Sequence, residues 1–145
     1  MPEQDIRQLS FVDAIREALD QLLDTNSSVM IIGEGVPDPK SIFNSTAGLQ
    51  NKYGAHRVFD MPLAENGLTG VCIGAAISGM RPVMIHQRID FALLSMDQIV
   101  NNAAKWHYMF DHYCPVNFDA DFRIVRLATA APRPLRCEGH WRPSA

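Results

Sequence analysis

The sequence predicts an α/β fold with three layers, in which a mainly parallel sheet lies between helices on both faces. Three short apolar runs with strand character, at residues 29–32, 58–59 and 82–86, alternate with segments whose apolar residues recur at helical spacing. Strands that alternate with helices pair in parallel, because each helix carries the chain back to the edge at which the previous strand began. A chain of 145 residues, 47% of them hydrophobic, is long enough for one domain with its own core.

The first helix is predicted over residues 11–24. Ser10 and Asp13 have the spacing of a capping box, in which a hydroxyl group and a carboxylate satisfy backbone amides at the start of a helix. The apolar residues that then follow at helical spacing are Phe11, Ile15, Ala18, Leu19, Leu22 and Leu23. The strand at 29–32 enters Gly33-Glu34-Gly35, where no third glycine falls in position, so a strand-ending turn is favoured over a dinucleotide fingerprint.

Three more helices are predicted, over residues 46–52, 65–79 and 91–109, and the last of them is the longest. The helix at 65–79 has small residues along one side, which usually indicates close packing against another helix. These small residues are Gly67, Gly70, Gly74 and Ser78. The helix at 91–109 is expected to bury one apolar face. The residues of that face are Leu93, Met96, Val100, Ala103, Ala104 and His107.

The composition of the chain changes after Phe110. Five of the thirteen basic residues and four of the nine prolines follow it. A short strand is predicted at 123–127, but no hydrophobic period is visible from residue 128 onward. We therefore expect one domain over residues 1–118, followed by an atypical Arg- and Pro-rich tail over residues 119–145 that is irregular and open to proteases.

Composition and charge exclude several classes of protein. The net charge of −3 gives no general attraction to nucleic acids or membranes, and no apolar run approaches the roughly 20 residues that span a bilayer. The cysteines, Cys72, Cys114 and Cys137, are odd in number and widely spaced, which favours a reducing compartment over a disulfide framework or a zinc site. The first residues lack the features of an export signal, so a cytoplasmic protein is expected.

Three residues are candidates for a functional site. Glu65 follows a strand-to-helix junction, where a carboxylate either stabilises the helix through its dipole or contacts a ligand, and both interpretations remain open. His86 ends a strand, and ligands bind at the carboxyl ends of parallel strands, although a single histidine more often has a structural hydrogen bond. Phe91 is more often a core residue than a platform for a ring. No metal site is predicted, since His107 and His112 lack a helical zinc spacing.

Several sequence blocks between Phe11 and Phe110 occur in a fixed order. They are Gly33-Glu-Gly35, Ile42-Phe43-x-x-Thr46-x-Gly48-Leu49, Tyr53-Gly54, Arg57-Val-Phe-Asp-x-Pro62-Leu-x-Glu65-x-Gly67, Gly74-Ala-Ala76, Gly79-x-Arg-Pro-Val83, Asp90-Phe-Ala92 and Asp97-Gln-Ile-Val-Asn101-x-Ala-Ala-Lys105. In these blocks the sequence resembles the β subunits of thiamine diphosphate-dependent 2-oxo acid dehydrogenases, the E1 component, over their pyrimidine-binding domain. The resemblance implies the transketolase-like α/β fold of that domain.

The resemblance also implies roles for two of the candidate residues. In that family a glutamic acid that is neutral, or shares its proton, hydrogen-bonds N1′ of the cofactor's aminopyrimidine and so assists removal of the thiazolium C2 proton. Glu65 stands at this glutamate position, and Phe91 matches the aromatic position that stacks on the pyrimidine ring. The activity implied is oxidative decarboxylation of a 2-oxo acid, of unidentified side chain, with transfer of the acyl group to the lipoyl group of a partner acyltransferase.

Two departures from the family leave alternatives open. The family holds the diphosphate and Mg²⁺ through a Gly-Asp-Gly…Asn motif of the α subunit, which this chain lacks, so the resemblance implies an E1 α-like partner in an α2β2 assembly. The match ends after Met109, and the family's Gly-Gly, His-Ser-Gln segment and C-terminal domain do not follow. Two alternatives to the first interpretation therefore remain. The chain is an inactive truncated fragment that only pairs with subunits, or it is a transketolase- or synthase-like half-subunit.

Overall fold

The computed structural model describes residues 8–39, 42–110 and 123–126. Its helices are α1 (Phe11–Thr25), α2 (Leu49–Tyr53), α3 (Glu65–Ile77), α4 (Ile89–Ala92) and α5 (Trp106–Met109). Its strands are β1 (Val29–Gly33), β2 (Val58–Phe59), β3 (Arg81–His86) and β4 (Arg123–Arg126). All strand pairs are parallel, and the strands lie in the order β2-β1-β3-β4. The α/β fold with a parallel sheet that the sequence predicts is therefore confirmed.

The two faces of the sheet carry different hydrophobic clusters, because successive side chains of a strand point to opposite faces. Ile31 and the other odd-numbered residues of the inner strands cluster with Leu23 and further buried residues of α1 and α2. Ile32 and Met84, which point the other way, cluster with Cys72 of α3. Helices α1 and α2 thus cover one face and α3 covers the other, which gives the three layers expected.

The start of α1 confirms the predicted cap. The backbone N–H of Asp13 donates to Ser10 Oγ over 3.1 Å, and the Ser10 hydroxyl donates to the Asp13 carboxylate over 2.6 Å. The Asp13 carboxylate thus accepts a hydrogen bond from the Ser10 hydroxyl group, whereas in the predicted capping box it would accept one from a backbone amide. Helix α1 begins at the predicted residue and ends at Thr25, one residue later than predicted.

Arg57 fixes the position of β2 beside β1. Its Nε donates to the carbonyl of Val29 over 2.9 Å and its Nη2 donates to that of Asn26 over 2.6 Å. Its guanidinium carbon also lies 5.6 Å from the centroid of the Tyr53 ring. Hydrogen bonds from a charged donor are stronger than neutral ones. They hold the edge of the sheet from which the chain runs on to α3.

The prediction of one continuous helix over residues 91–109 is wrong. The chain becomes helical at Ile89, and the run to Met109 consists of α4, a 3₁₀ segment (Leu93–Ser95), a π-helical segment (Gln98–Ala103) and α5. Among the described helices the longest is α1, with 15 residues. Hydrophobic spacing cannot distinguish an α-turn from a tighter or a wider turn, because packing against the rest of the fold selects between them.

The prediction that this helical run buries one apolar face is also wrong. Leu93 is 65% exposed, and Met96 and Val100 are each 43% exposed. The contacts of this run with α3 are made instead by Ser95, whose hydroxyl lies 2.8 Å from that of Thr69, and by Gln98, which approaches Gly70. Although this surface is apolar, none of the described helices is long and apolar enough to cross a membrane.

A fourth strand corrects the predicted extent of the tail. The strand predicted at 123–127 is present as β4, which pairs with β3 from Val83 to His86. Residues 123–126 therefore belong to the sheet, beyond the domain boundary expected at residue 118, and are not irregular. The rest of the predicted tail, 127–145, lies outside the described residues.

The small residues of α3 do not all pack closely. A methyl group added at Gly70 would lie 3.3 Å from Gln98 Oε1, so α3 approaches the π-helical segment there. The same addition at Gly67 or Gly74 meets no described atom within 4 Å. Within the part of the chain that the structure describes, close packing along this side is confirmed only at Gly70.

Candidate functional site

The carboxyl end of β3 and the amino end of α3 meet at one edge of the sheet. His86 is the last residue of β3 and Glu65 is the first residue of α3. Both are buried, with 4% of His86 and 6% of Glu65 exposed to solvent. Ligands bind at this edge in parallel sheets. The edge is therefore the candidate site; it contains Glu65, which the sequence predicts as a site residue, and His86, for which the sequence favours a structural role.

The loop between β2 and α3 brings Glu65 to this edge. Asp60 Oδ1 accepts a hydrogen bond from the backbone N–H of Gly35 over 2.8 Å, which ties the loop to the turn after β1. The N–H of Ala64 then donates to the carbonyl of Pro62 over 2.7 Å, closing a tight turn immediately before the helix. Glu65 consequently occupies the first turn of α3, where the helix dipole favours a negative charge.

The packing of α3 on β3 brings Glu65 and His86 to the same level. Thr69 Oγ1 lies 3.3 Å from Met84 Sδ, so this side of α3 faces this side of β3. Glu65 lies one helical turn before Thr69, and His86 lies two strand residues beyond Met84 on the same face. A step of four helical residues is about 6 Å and a step of two strand residues is about 6.6 Å. Since α3 and β3 run in opposite directions, the two steps end side by side.

Two buried hydroxyl groups lie beneath this pair. Thr69 Oγ1 donates to the backbone carbonyl of Glu65 over 2.7 Å and lies 2.8 Å from Ser95 Oγ. These contacts join the first turn of α3 to the helical run after β3. Sequence reasoning missed both hydroxyl residues. The available signal was the position of Thr69, four residues after Glu65 and the one polar side chain between Gly67 and Ile77.

His86 has an unsatisfied polar atom in this buried position. Its Nε2 has no hydrogen-bond partner among the residues that the structure describes. Burial lowers the pKa of His86, and the neighbouring Glu65 charge opposes this with a smaller upward effect. The ring is therefore neutral near pH 7, with one nitrogen as a donor and the other as an acceptor. Leaving such a nitrogen unpaired costs about 1–3 kcal/mol.

Phe91 lies in α4, directly after β3. It is partly exposed, so it is not the fully buried core residue that its sequence position favours. The Arg88 guanidinium carbon lies 5.9 Å from the centroid of its ring, and Arg88 also forms an ion pair with Asp90 at 3.1 Å. Part of the aromatic surface of Phe91 is thus accessible near the carboxyl end of β3.

Cys72 belongs to the core and not to the candidate site. It is a free cysteine within α3, and burial raises the pKa of its thiol to about 12. At neutral pH the sulfur is therefore a protonated, unreactive thiol. No group of three or more His, Cys, Asp or Glu side chains able to hold a metal ion occurs among the described residues.

The same elements match the sequence profile of a known domain family. The profile described as transketolase, pyrimidine binding domain matches residues 7–118, which include Glu65, His86 and Phe91. The chain belongs to this family. Membership in the pyrimidine-binding family confirms the resemblance seen in the sequence blocks. It also agrees with the parallel sheet and the helix layers of the structure.

Three relatives show which proteins this pyrimidine-binding domain is similar to. The 2-oxoisovalerate dehydrogenase subunit beta of Bacillus subtilis (strain 168) is 41% identical over 110 residues, 74% of this chain and 34% of the relative. The pyruvate dehydrogenase E1 component subunit beta of Rickettsia bellii (strain RML369-C) is 36% identical, over 77% of this chain and 35% of the relative. The mitochondrial pyruvate dehydrogenase E1 component subunit beta of Homo sapiens is 35% identical, over 75% of this chain and 30% of the relative. The chain spans about a third of the length of these relatives.

Proposed function

We propose that this chain supplies the aminopyrimidine half of a thiamine diphosphate site, as a β-subunit-like part of the E1 component of a 2-oxo acid dehydrogenase. The observation that carries the proposal is the burial of Glu65 at the ligand-binding edge of a pyrimidine-binding domain. A carboxylate that only starts a helix gains nothing from burial, since removing a charge from water is costly. The buried position of Glu65 therefore favours contact with a ligand.

The residues at this edge fit the aminopyrimidine ring of thiamine diphosphate. Such a ring is flat and carries ring nitrogens and an amino group at its edge. Glu65 offers a carboxyl group that can share a proton with a ring nitrogen, and Phe91 offers a partly exposed aromatic face for stacking. The unpaired nitrogen of His86 adds a further polar group at the same level of the sheet.

The proposed role of Glu65 is to hold a proton at the pyrimidine ring. When bound, thiamine diphosphate would supply a nucleophilic thiazolium carbon and an electron sink for decarboxylation of a 2-oxo acid. Glu65 assists removal of the proton from that carbon by sharing its own proton with N1′. Burial keeps water away from this proton, and the bond from Thr69 holds the first helical turn in place.

The proposal includes an E1 α-like partner that holds the diphosphate and Mg²⁺, in an assembly expected to be α2β2. Its support is the number of large apolar side chains exposed on the helical run after β3, since exposed apolar surface commonly marks a protein interface. The residues exposed there are Leu93, Leu94, Met96, Val100, Met109 and Phe110. A small 2-oxo acid is the proposed substrate, and a lipoyl-bearing acyltransferase is the proposed acceptor of the acyl group.

A cytoplasmic location belongs to the same proposal. It is supported by the odd number and wide spacing of the cysteines, which are typical of a reducing compartment. Some similar proteins carry another location in their names, since the human relative is described as mitochondrial.

Glu65→Gln tests the proposal in an assembly with an E1 α subunit, thiamine diphosphate and Mg²⁺. Glutamine has nearly the same shape and keeps one hydrogen bond, so we expect cofactor affinity to be largely retained. It cannot share a proton with N1′, so exchange of the thiazolium C2 proton, followed by NMR, should slow by about 10²–10⁴-fold. Unchanged C2 exchange would remove Glu65 from the mechanism.

Two controls define what a negative result means. Glu17→Gln alters a glutamate of α1, on the other side of the sheet, and should leave C2 exchange unchanged. The isolated chain should bind the cofactor weakly, because we propose that the diphosphate contacts come from the partner. If the chain pairs with the α subunit but the assembly takes up no thiamine diphosphate, the alternative of a fragment that only pairs with subunits is supported instead.

A further inference from the structure

The most unusual polar atom in the described part of the chain is Nε2 of His86. Among the described residues, it is the one buried side-chain nitrogen or oxygen atom that has no hydrogen-bond partner. Buried polar atoms in folded proteins nearly always have a partner, and each exception calls for an explanation, such as a catalytic or ligand-binding role. The location of this one is informative, because His86 lies at the sheet edge where the candidate site is.

The side chain of His86 is directed to the same side of the sheet as that of Glu65. Met84, two residues earlier on β3, contacts Thr69 of α3, so even-numbered side chains of this strand point toward the α3 layer. His86 therefore points to the first turn of α3, and it is close enough for the charge of Glu65 to act on its ring. The carboxyl group and the unpaired nitrogen thus converge from two different elements.

The chemistry of the imidazole ring suits a neutral, polar ligand edge. A neutral imidazole nitrogen either donates one hydrogen bond or accepts one. Burial excludes the competing water that would weaken such a bond at the surface. An apolar residue at this position would pack on Met84 and the α3 layer without an unsatisfied atom, so the histidine is not explained by packing of the core.

We propose that His86 is a second ligand-binding residue of the Glu65 site, whose Nε2 hydrogen-bonds the edge of the bound aminopyrimidine. This inference rests on the proposed function, since it takes thiamine diphosphate as the ligand. The ring then contacts one polar group from the start of α3 and one from the end of β3. Two such contacts fix the rotation of a flat ring in its own plane, which a single carboxyl group does not.

Two variants separate the hydrogen bond from the packing. His86→Leu removes the bond and keeps an apolar side chain, whereas His86→Gln places an amide group near the position of Nε2. In an assembly with an E1 α subunit and Mg²⁺, we expect His86→Leu to weaken thiamine diphosphate binding about 3- to 10-fold, the value of one net hydrogen bond. We expect His86→Gln to weaken it less than about 2-fold. The thermal unfolding midpoint of the ligand-free leucine variant should equal or exceed that of the wild type.

A spectroscopic measurement tests the contact without enzyme activity or a partner. The full 145-residue chain, labelled with ¹⁵N-histidine, is titrated with 4-amino-5-hydroxymethyl-2-methylpyrimidine, and His86 is assigned by its loss in His86→Gln. The Nε2 resonance of His86 should shift with the pyrimidine, while those of the other histidines remain in place. An unchanged Nε2 resonance up to the solubility limit of the pyrimidine overturns the proposal.

The outcomes distinguish this inference from the function on which it rests. If the wild-type assembly binds thiamine diphosphate and His86→Leu binds it equally well, the role of His86 is refuted and the role of Glu65 stands. If the wild-type assembly does not bind the cofactor at all, both are refuted. A third outcome also overturns the proposal: His86→Leu unfolds at a markedly lower temperature, and His86→Gln binds the cofactor as weakly as His86→Leu does. That combination indicates a structural histidine.

Discussion

Gly33 is the position at which a single methyl group should disturb the candidate site most. It ends β1 and pairs with Ile85 of β3, one residue before His86. An alanine Cβ would lie 2.5 Å from the carbonyl oxygen of Ile85 and 2.9 Å from Val36 Cγ2. Real Cβ atoms essentially never approach other atoms closer than 3.0 Å. The carbonyl belongs to the backbone of the sheet, so it cannot move without shifting the β1–β3 pairing.

The expected cost of Gly33→Ala follows from three terms. Overpacking of a buried position costs about 1–3 kcal/mol. Disturbing one hydrogen bond of the sheet costs about 1 kcal/mol more. The reduced freedom of alanine in the unfolded chain offsets about 0.4–1 kcal/mol. We therefore expect the free energy of unfolding to fall by about 1–4 kcal/mol, a large share of the 5–15 kcal/mol typical of a domain.

Urea unfolding of the full chain, followed by circular dichroism, measures this difference. Gly74→Ala is the matched control, because its added methyl group meets no described atom within 4 Å and lies inside α3. Removing a glycine from a helix interior should raise the free energy of unfolding by about 0.5–1 kcal/mol. The two glycine variants should thus shift the urea midpoint in opposite directions. Equal midpoints for Gly33→Ala and the wild type, with equal slopes, would refute the steric argument.

Two further predictions concern buried titratable groups. Burial lowers the pKa of His86, so the folded chain favours the neutral ring. The free energy of unfolding should therefore be highest above the unfolded-state pKa of about 6.5 and should decline as the pH falls below that value. Urea unfolding of the wild type and of His86→Gln between pH 8 and 5 measures this decline, and an equal decline in both would contradict the assignment. Cys72, whose pKa is raised to about 12, should resist iodoacetamide at pH 8 in the folded chain and react in urea. Peptide mass mapping separates Cys72 from the other cysteines, and rapid labelling of Cys72 in the folded chain would contradict its burial.

Features that depend on neighbouring residues follow from the sequence. The cap at Ser10 and Asp13, the strand at Val58–Phe59 and the start of α3 at Glu65 agree with the structure. The cap depends on two side chains three residues apart, and the other two features on short local patterns of apolar, Pro and acidic residues. The helical run after β3 could not be predicted in the same way. Its 3₁₀ and π segments depend on packing against α3, as at the contact between Gly70 and Gln98.

The sequence by itself determines the alternation of strands and helices, the domain family and the presence of a carboxyl group where a strand leads into a helix. Only the tertiary structure decides that Glu65 is buried and that His86 faces the same layer with a nitrogen that no described residue pairs with. The physical reason is that local periodicity assigns a side chain to a face of its own element. The level at which two elements meet depends on how they pack, here on the contact between Thr69 and Met84.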